Sequence, residues 1–217
     1  GLLDAGYRHM SDANPQLVNE DYVRTWTLSS TPEFDPETDA FRKTDQVSVT
    51  VKRKADGLMS NVLHDNAHKL LTERLPVEFK GTGTGFTCFS QSVGSAPPAI
   101  PSKMLWIAGG VGITPFMAMW DGIVKLARVH PRQTKTEIVF LFSGRGDEVR
   151  LLTHFASYSG MSPADVKLSV AAFQSMGENP MTAESAVDDL RQTFSDDVLQ
   201  IEERRVQIGD IQSISEL

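Results

Sequence analysis

Two short runs contain the residue types from which an anion site can be made. In residues 109–115 (G-G-V-G-I-T-P), Gly109, Gly110 and Gly112 lie between an apolar run at 103–108 and a proline. After Pro115, the residues Phe116, Met119, Trp120, Ile123, Val124 and Ala127 recur at helical spacing, so the pattern reads strand, glycine turn, helix. Glycine lets the backbone take positive φ and approach a ligand closely, and the N–H groups at a helix start attract phosphate. The spacing matches the G-x-G-x-x-G fingerprint only in part, and no Gly-Lys-Ser/Thr follows as a P-loop requires. A βα turn that binds nothing has the same pattern, and this run alone leaves both readings open. In residues 24–30 (R-T-W-T-L-S-S), Arg24 brings a bidentate phosphate donor, Trp26 a flat ring for stacking and Thr27 a hydroxyl beside it. Seen in isolation, an aromatic between polar residues of a strand is most often ordinary core.

A third run supports the second. Residues 47–51 (V-S-V-T-V) alternate as a half-buried strand should, and Lys52, Arg53 and Lys54 extend it with positive charge. Then comes G-L-M-S-N-V-L-H-D at 57–65, where Ser60 reads as the N-cap of a helix reaching about Leu71. A capped helix start beside Arg24 and Lys52 suits a pyrophosphate.

The elements that must position these runs differ between the halves of the chain. The second half alternates strand and helix: strands at 103–108, 137–143 and 166–173, helices at 116–129, 148–157 and 183–194. That rhythm predicts a parallel sheet with right-handed crossovers. The first half has short strands and turn residues, as an antiparallel barrel would. A Pro- and Ser-rich stretch at 92–102 separates them, which gives an α+β chain of two domains, 1–101 and 102–217.

Here the chain resembles a known family. R-T-W-T is similar to the R-x-Y-S/T signature of the ferredoxin-NADP reductase superfamily, and T-V-K-R at 50–53 to the strand after it. G-L-M-S resembles its flavin pyrophosphate turn and G-G-V-G-I-T-P its pyridine nucleotide motif, the four in the family's order. The resemblance implies a partial barrel domain holding FAD and a Rossmann-like domain holding NAD(P)H. It implies that Arg24 pairs with the FAD pyrophosphate, that Trp26 stacks on the isoalloxazine in place of the usual Tyr, and that Thr27 lies near flavin N5 as the catalytic hydroxyl. Gly57, Met59 and Ser60 would contact the pyrophosphate, with Val51 and Lys52 on the neighbouring strand. Gly110, Gly112, Thr114 and Pro115 would hold the nicotinamide nucleotide.

For nucleotide choice, Phe142 is read as closing the second strand, so that Ser143, Gly144 and Arg145 meet the adenosine ribose and favour NADPH. Asp147 and Glu148 lie close enough behind to take the NAD role instead. The function implied is a flavin-dependent NAD(P)H oxidoreductase passing electrons to an unidentified acceptor. The competing reading is a degenerate, non-catalytic fragment serving as a nucleotide-binding or interaction domain. The family's opening barrel strands and its closing Cys-Gly strand find no counterpart here, so the chain reads either as a piece of a larger reductase, with further domains in a longer parent chain, or as a reduced relative that binds nucleotides poorly; Gly1 in place of Met reads as a processed chain.

Other features read blandly. Gly81, Gly83 and Gly85 sit in a strand-and-hairpin pattern without a following helix; His64 and His68 lack the Glu of a zinc-protease motif; Arg145-Gly146-Asp147 is a chance tripeptide. No metal site is expected. A single cysteine, Cys88, excludes an internal disulfide, cannot hold an iron-sulfur cluster, and fits an intracellular, cytoplasmic chain. No membrane span is expected, and a net charge of −7 argues against nucleic acid as a partner.

Overall fold

The computed structural model describes residues 26–55, 57–73, 86–89, 98–157, 166–175, 180–202, 204, 207 and 209–211. Its strands are β1 (Phe34–Asp35), β2 (Ala40–Phe41), β3 (Lys103–Gly109), β4 (Thr136–Arg145), β5 (Val166–Ser175) and β6 (Leu199–Glu202). Its α-helices are α1 (Leu58–Asp65), α2 (Ala67–Glu73), α3 (Thr114–Val129), α4 (Leu151–Ser157) and α5 (Pro180–Thr193). By contacts the chain divides into two units, residues 1–27 with 51–84 and residues 28–50 with 85–217.

The second unit is organised by a parallel sheet in the order β3-β4-β5-β6. Its register aligns Trp106 with Phe140 and Val170, and Ala108 with Phe142, Ala172 and Ile201. When strands follow one another in sequence order and every crossover is right-handed, all crossover helices fall on one face. The packing agrees: those strand residues share one core with Phe116, Trp120 and Ile123 of α3, Leu152 and Phe155 of α4, and Ala186 and Leu190 of α5. Aromatic rings fill its centre, with Phe155 5.5 Å from Trp120 in a stacked pair and 5.2 Å from Phe140. Such pairs contribute about 0.5–1.5 kcal/mol each beyond the area they bury.

The opposite face is covered unevenly. Leu141 and Phe173 are buried there, Phe173 beneath the Arg204 guanidinium at 5.2 Å, while Leu105 and Ile107 of β3 stay 40% and 45% exposed.

Residues 28–50 are stitched to α3. The Thr31 N–H donates to Asp121 Oδ2 at 2.9 Å and its hydroxyl to the Ala118 carbonyl at 2.5 Å. The Lys125 ammonium donates to the Thr31 carbonyl at 2.6 Å and lies 2.9 Å from both Asp121 and Glu33. Gly122 makes this approach possible, since a Cβ there would fall 2.6 Å from the Phe89 ring and 3.2 Å from Thr31. At the far end of α3, His130 pairs with Asp39 at 2.8 Å, and Phe34 packs edge-on against the His130 ring.

The parallel α/β half follows the sequence reading in its alternation of strand and helix, and five points across the chain are corrected. The 47–51 alternation does not form a strand: Val49 makes one isolated bridge to Leu28, and Val47 and Val49 are exposed. Among the described residues the antiparallel structure is limited to that bridge and the β1–β2 pair, so no barrel is seen. The helix read to Leu71 is broken at Asn66 into α1 and α2. β4 runs to Arg145 rather than closing at Phe142, and β6 is an additional strand.

Candidate functional site

In the first unit the site residues gather where α1 begins. Gly57 is the N-cap, and no side chain caps the helix. This corrects the reading of Ser60 as N-cap. Ser60 is the third helical residue, buried, and its hydroxyl accepts the Lys54 N–H at 3.1 Å. The Gly57 N–H closes the same turn onto the Lys54 carbonyl at 2.9 Å. Asn61, which sequence reasoning passed over, donates its amide to the carbonyls of Lys54, Ala55 and Gly57 at 3.1, 3.1 and 2.6 Å. Two side chains of the helix thus bind backward to fix the turn. The first N–H groups of α1 have no intrahelical partner, the arrangement that favours an anion.

Around that turn, Arg53 is engaged, its guanidinium 2.8 Å from both Asn61 and Asp65. His64 ties α1 to residue 51 through a 3.0 Å contact between Nε2 and the Val51 carbonyl. Lys52 is exposed and Met59 half-buried; Trp26 and Thr27, in the same unit, are both exposed. Arg24 lies outside the described residues, as do Gly81, Gly83 and Gly85.

In the second unit the glycine turn has the geometry its sequence implies. Gly110 takes φ +49°, and residues Gly110–Ile113 form a 3-10 turn leading into α3. A Cβ on Gly112 would meet nothing within 4 Å, so that side of the turn is open. Ile113 precedes α3 without a side-chain cap and is fully buried, anchoring the turn from below. Thr114 is buried and Pro115 half-buried in the first turn of the helix.

The second strand ends beside this turn. Ser143 is a strand residue, in register with Gly109 and Phe173, and Arg145 is the last residue of β4, exposed. The reading that placed residues 143–145 in the loop after the strand is therefore corrected. Gly144 serves packing within the strand: a Cβ there would come within 3.1 Å of the Val149 nitrogen. Past the strand, Gly146 takes φ +51° and opens a 3-10 turn, Gly146–Arg150. The Gln174 amide fixes that turn by donating to the Gly146 carbonyl at 2.8 Å. Glu148 folds back, its carboxylate accepting the Arg145 N–H at 2.9 Å. The same carboxylate lies 3.4 Å from where a Cβ of Gly110 would stand.

Elsewhere, burial pushes the half-buried Cys88 thiol up to about 12, so it is not set up as a nucleophile. Among the described residues, no group of three or more His, Cys, Asp or Glu could hold a metal ion, and no helix is long and apolar enough to cross a membrane.

No protein-family model matches the chain. Curated relatives do. The ferredoxin reductase component of 3-ketosteroid-9-alpha-monooxygenase from Mycolicibacterium smegmatis is 30% identical over 123 residues, covering 54% of this chain and 29% of that protein. The glycine betaine monooxygenase reductase subunit of Chromohalobacter salexigens is 32% identical over 131 residues, covering 58% and 30%. Its namesake from Pseudomonas aeruginosa is 30% identical over the same length and the same shares. The chain thus spans about 30% of the length of the curated relatives it matches. The chain is thus similar to ferredoxin reductase components of monooxygenase systems, and this similarity agrees with the four ordered motifs and with a glycine turn of positive φ between a parallel strand and a helix.

Proposed function

We propose that this chain is a flavin-dependent oxidoreductase module that takes hydride from NAD(P)H onto FAD and passes electrons to a partner. The observation that carries the reading is the turn at 110–113: a positive-φ glycine, an open Gly112 and an uncapped start of α3, at the carboxyl end of a parallel strand. That is where a phosphate binds in such sheets. The domains proposed are an FAD-binding, barrel-type domain over 1–101 and a nucleotide-binding domain over 102–217.

FAD, when bound, supplies the redox chemistry, accepting two electrons together and releasing them one or two at a time. The residues supply binding and orientation. The backbone at Gly57, Met59 and Ser60 offers N–H groups to a pyrophosphate, with Arg24 and Lys52 as cations near it; the Ser60 hydroxyl, already bonded to Lys54, serves the turn. Val51 is fixed to α1 through His64. Exposed Trp26 is available to stack on an aromatic ring system, and the Thr27 hydroxyl to hold a hydrogen bond at flavin N5. Gly110, Gly112, Thr114 and Pro115 form the nucleotide turn, with Ser143 and Arg145 at the end of the adjoining strand. Because the named relatives are reductase components of monooxygenases, the electron acceptor proposed is an oxygenase component or its ferredoxin.

Absorption spectroscopy tests this. The chain should acquire a flavin spectrum on addition of FAD and bleach on addition of NADH or NADPH, and Trp26→Ala should weaken FAD binding. A chain that takes up no FAD and binds no nicotinamide nucleotide would refute the reading and leave an interaction domain.

A further inference from the structure

We infer that Gln174 is a positioning residue for the nicotinamide nucleotide; this rests on the reading of the nucleotide site given above. Where the first glycine turn of a parallel sheet receives the pyrophosphate, the adenosine ribose falls beside the end of the next strand. That next strand is β4, paired with β3 from Lys103 to Gly109, and the turn that follows it is Gly146–Arg150. This turn stands against the glycine turn after β3, since a Cβ on Gly110 would fall 3.4 Å from the Glu148 side chain. Residues 146–150 therefore form one side of any nucleotide site built on Gly110 and Gly112.

The third strand fixes where that side stands. Gln174 is the residue before the end of β5, in register with Gly144, and it is buried. Its parity is that of Val166, Leu168, Val170 and Ala172, which pack into the core under the helices, so β5 places one polar residue at the end of an otherwise apolar face. A buried amide is costly unless it is hydrogen-bonded. Here Nε2 donates to the Gly146 carbonyl at 2.8 Å, a buried bond across 28 positions of the chain. Gly146 is also where the backbone reverses, at φ +51°.

Other ties of the turn act differently. Arg150 reaches Asp189 and Ser185 of α5 at 2.9 and 2.8 Å, but the Arg150 and Asp189 side chains are 40% and 47% exposed, and an ion pair in water holds little. The bond from the Arg145 N–H to Glu148 lies within the turn and moves with it. Val149 is held in the core by shape. Gln174 adds a directional bond from a paired strand, made where water does not compete. It acts through the Gly146 carbonyl rather than by contact with the nucleotide. Loss of that bond lets residues 146–150 shift and weakens nucleotide binding equally before and during hydride transfer, which raises the half-saturating concentration without slowing the transfer step.

The test follows bleaching of the FAD-loaded chain by stopped flow as NADH, and separately NADPH, is varied. Gln174→Met keeps the length of the side chain and removes the donor. Its half-saturating nucleotide concentration should rise roughly fivefold or more, with the limiting rate within about twofold of wild type. Val170→Ala, a cavity earlier on the same face of β5, should lower the melting temperature and leave half-saturation unchanged. Gln174→Glu keeps the shape but regains a donor only when its carboxyl is protonated, so its half-saturation should approach that of wild type as pH is lowered. A folded Gln174→Met variant with wild-type half-saturation overturns the inference and leaves the oxidoreductase reading standing. So does a rise matched by Val170→Ala, or a Gln174→Glu variant whose ratio to wild type does not change with pH. A wild type bleached by neither nucleotide overturns both.

Discussion

Gly57 and Ser60 show how closely one turn is fitted. The φ of Gly57 is −90°, open to any residue, so glycine is required there for space alone. A Cβ would stand 2.7 Å from Ser60 Oγ and 3.2 Å from the Lys54 carbonyl. Gly57→Ala should therefore lower stability by about 1–2 kcal/mol, as overpacking does, and weaken FAD binding. Adding Ser60→Ala removes the nearest clash, so the double variant should melt above the sum of the two single losses; strict additivity would show that the two residues do not share this contact. At this scale the sequence was legible where a residue's own backbone decides the matter, as for Gly110. It misled at Ser60, because serine's capping preference describes a bond to the helix it precedes. Here the hydroxyl reaches back to Lys54. Nothing in four letters distinguishes the two directions.

At the scale of elements, α3 is governed by one acid on its apolar side. Asp121 is buried and receives both the Thr31 N–H and the Lys125 ammonium, so Asp121→Ala leaves an ammonium and an amide without their main partner. A loss of about 3–5 kcal/mol is expected in chemical denaturation, the range for removing one member of a buried pair. Burial pulls the Lys125 pKa down, but hydrogen bonds and charge from Glu33 and Asp121 outweigh it, and the net shift is upward from 10.5. A folded-state value above the unfolded one means that the contribution is complete below 10.5 and is lost as pH climbs past the raised folded value. Wild type should thus lose its stability advantage over Lys125→Gln only in that alkaline window; a constant difference would assign Lys125 a packing role.

The strands of the sheet were readable because Lys103–Gly109, Thr136–Arg145 and Val166–Ser175 are long apolar runs separated by helical patterns. Residues 47–51 carried the strand pattern too, yet Val47 and Val49 remain 48% and 41% exposed, with one isolated bridge from Val49 to Leu28. A strand needs a neighbour, and alternation cannot say whether one arrives. The end of β4 was misplaced for a related reason. Gly144 reads as punctuation, whereas the close passage of Val149 demands a glycine inside the strand.

For the whole second unit, consecutive strand order puts every crossover helix on one face, and the uneven cover of the other face follows. β3 is an edge strand among the described residues, and its exposed Leu105 and Ile107 are the kind of apolar surface on which self-association is expected. Replacing both, as Leu105→Thr with Ile107→Lys, should reduce concentration-dependent light scattering while shifting the melting temperature little. An unchanged scattering profile would direct attention to other surfaces. The α/β alternation announced the sheet, but the membership of residues 28–50 in its unit was not announced, since that depends on Thr31 finding Asp121 across 90 residues.

That attachment of Thr31 also imposes an order in time. Its bonds to α3 span 87, 90 and 94 positions of the chain, while the crossovers of the sheet close over far shorter loops. On a ribosome adding about 5–20 residues per second, Thr31 emerges roughly 5–20 s before Lys125 exists. Residues 28–35 must pass that interval without their partner, and loop closure over such a distance is the slow kind of contact. In refolding followed by hydrogen exchange, the amides of β3 and β4 should therefore gain protection before the Thr31 amide does. Chains stalled just short of Asp121 should leave residues 28–35 open to protease, so synthesis of this protein includes a stage at which this segment waits for a helix not yet made.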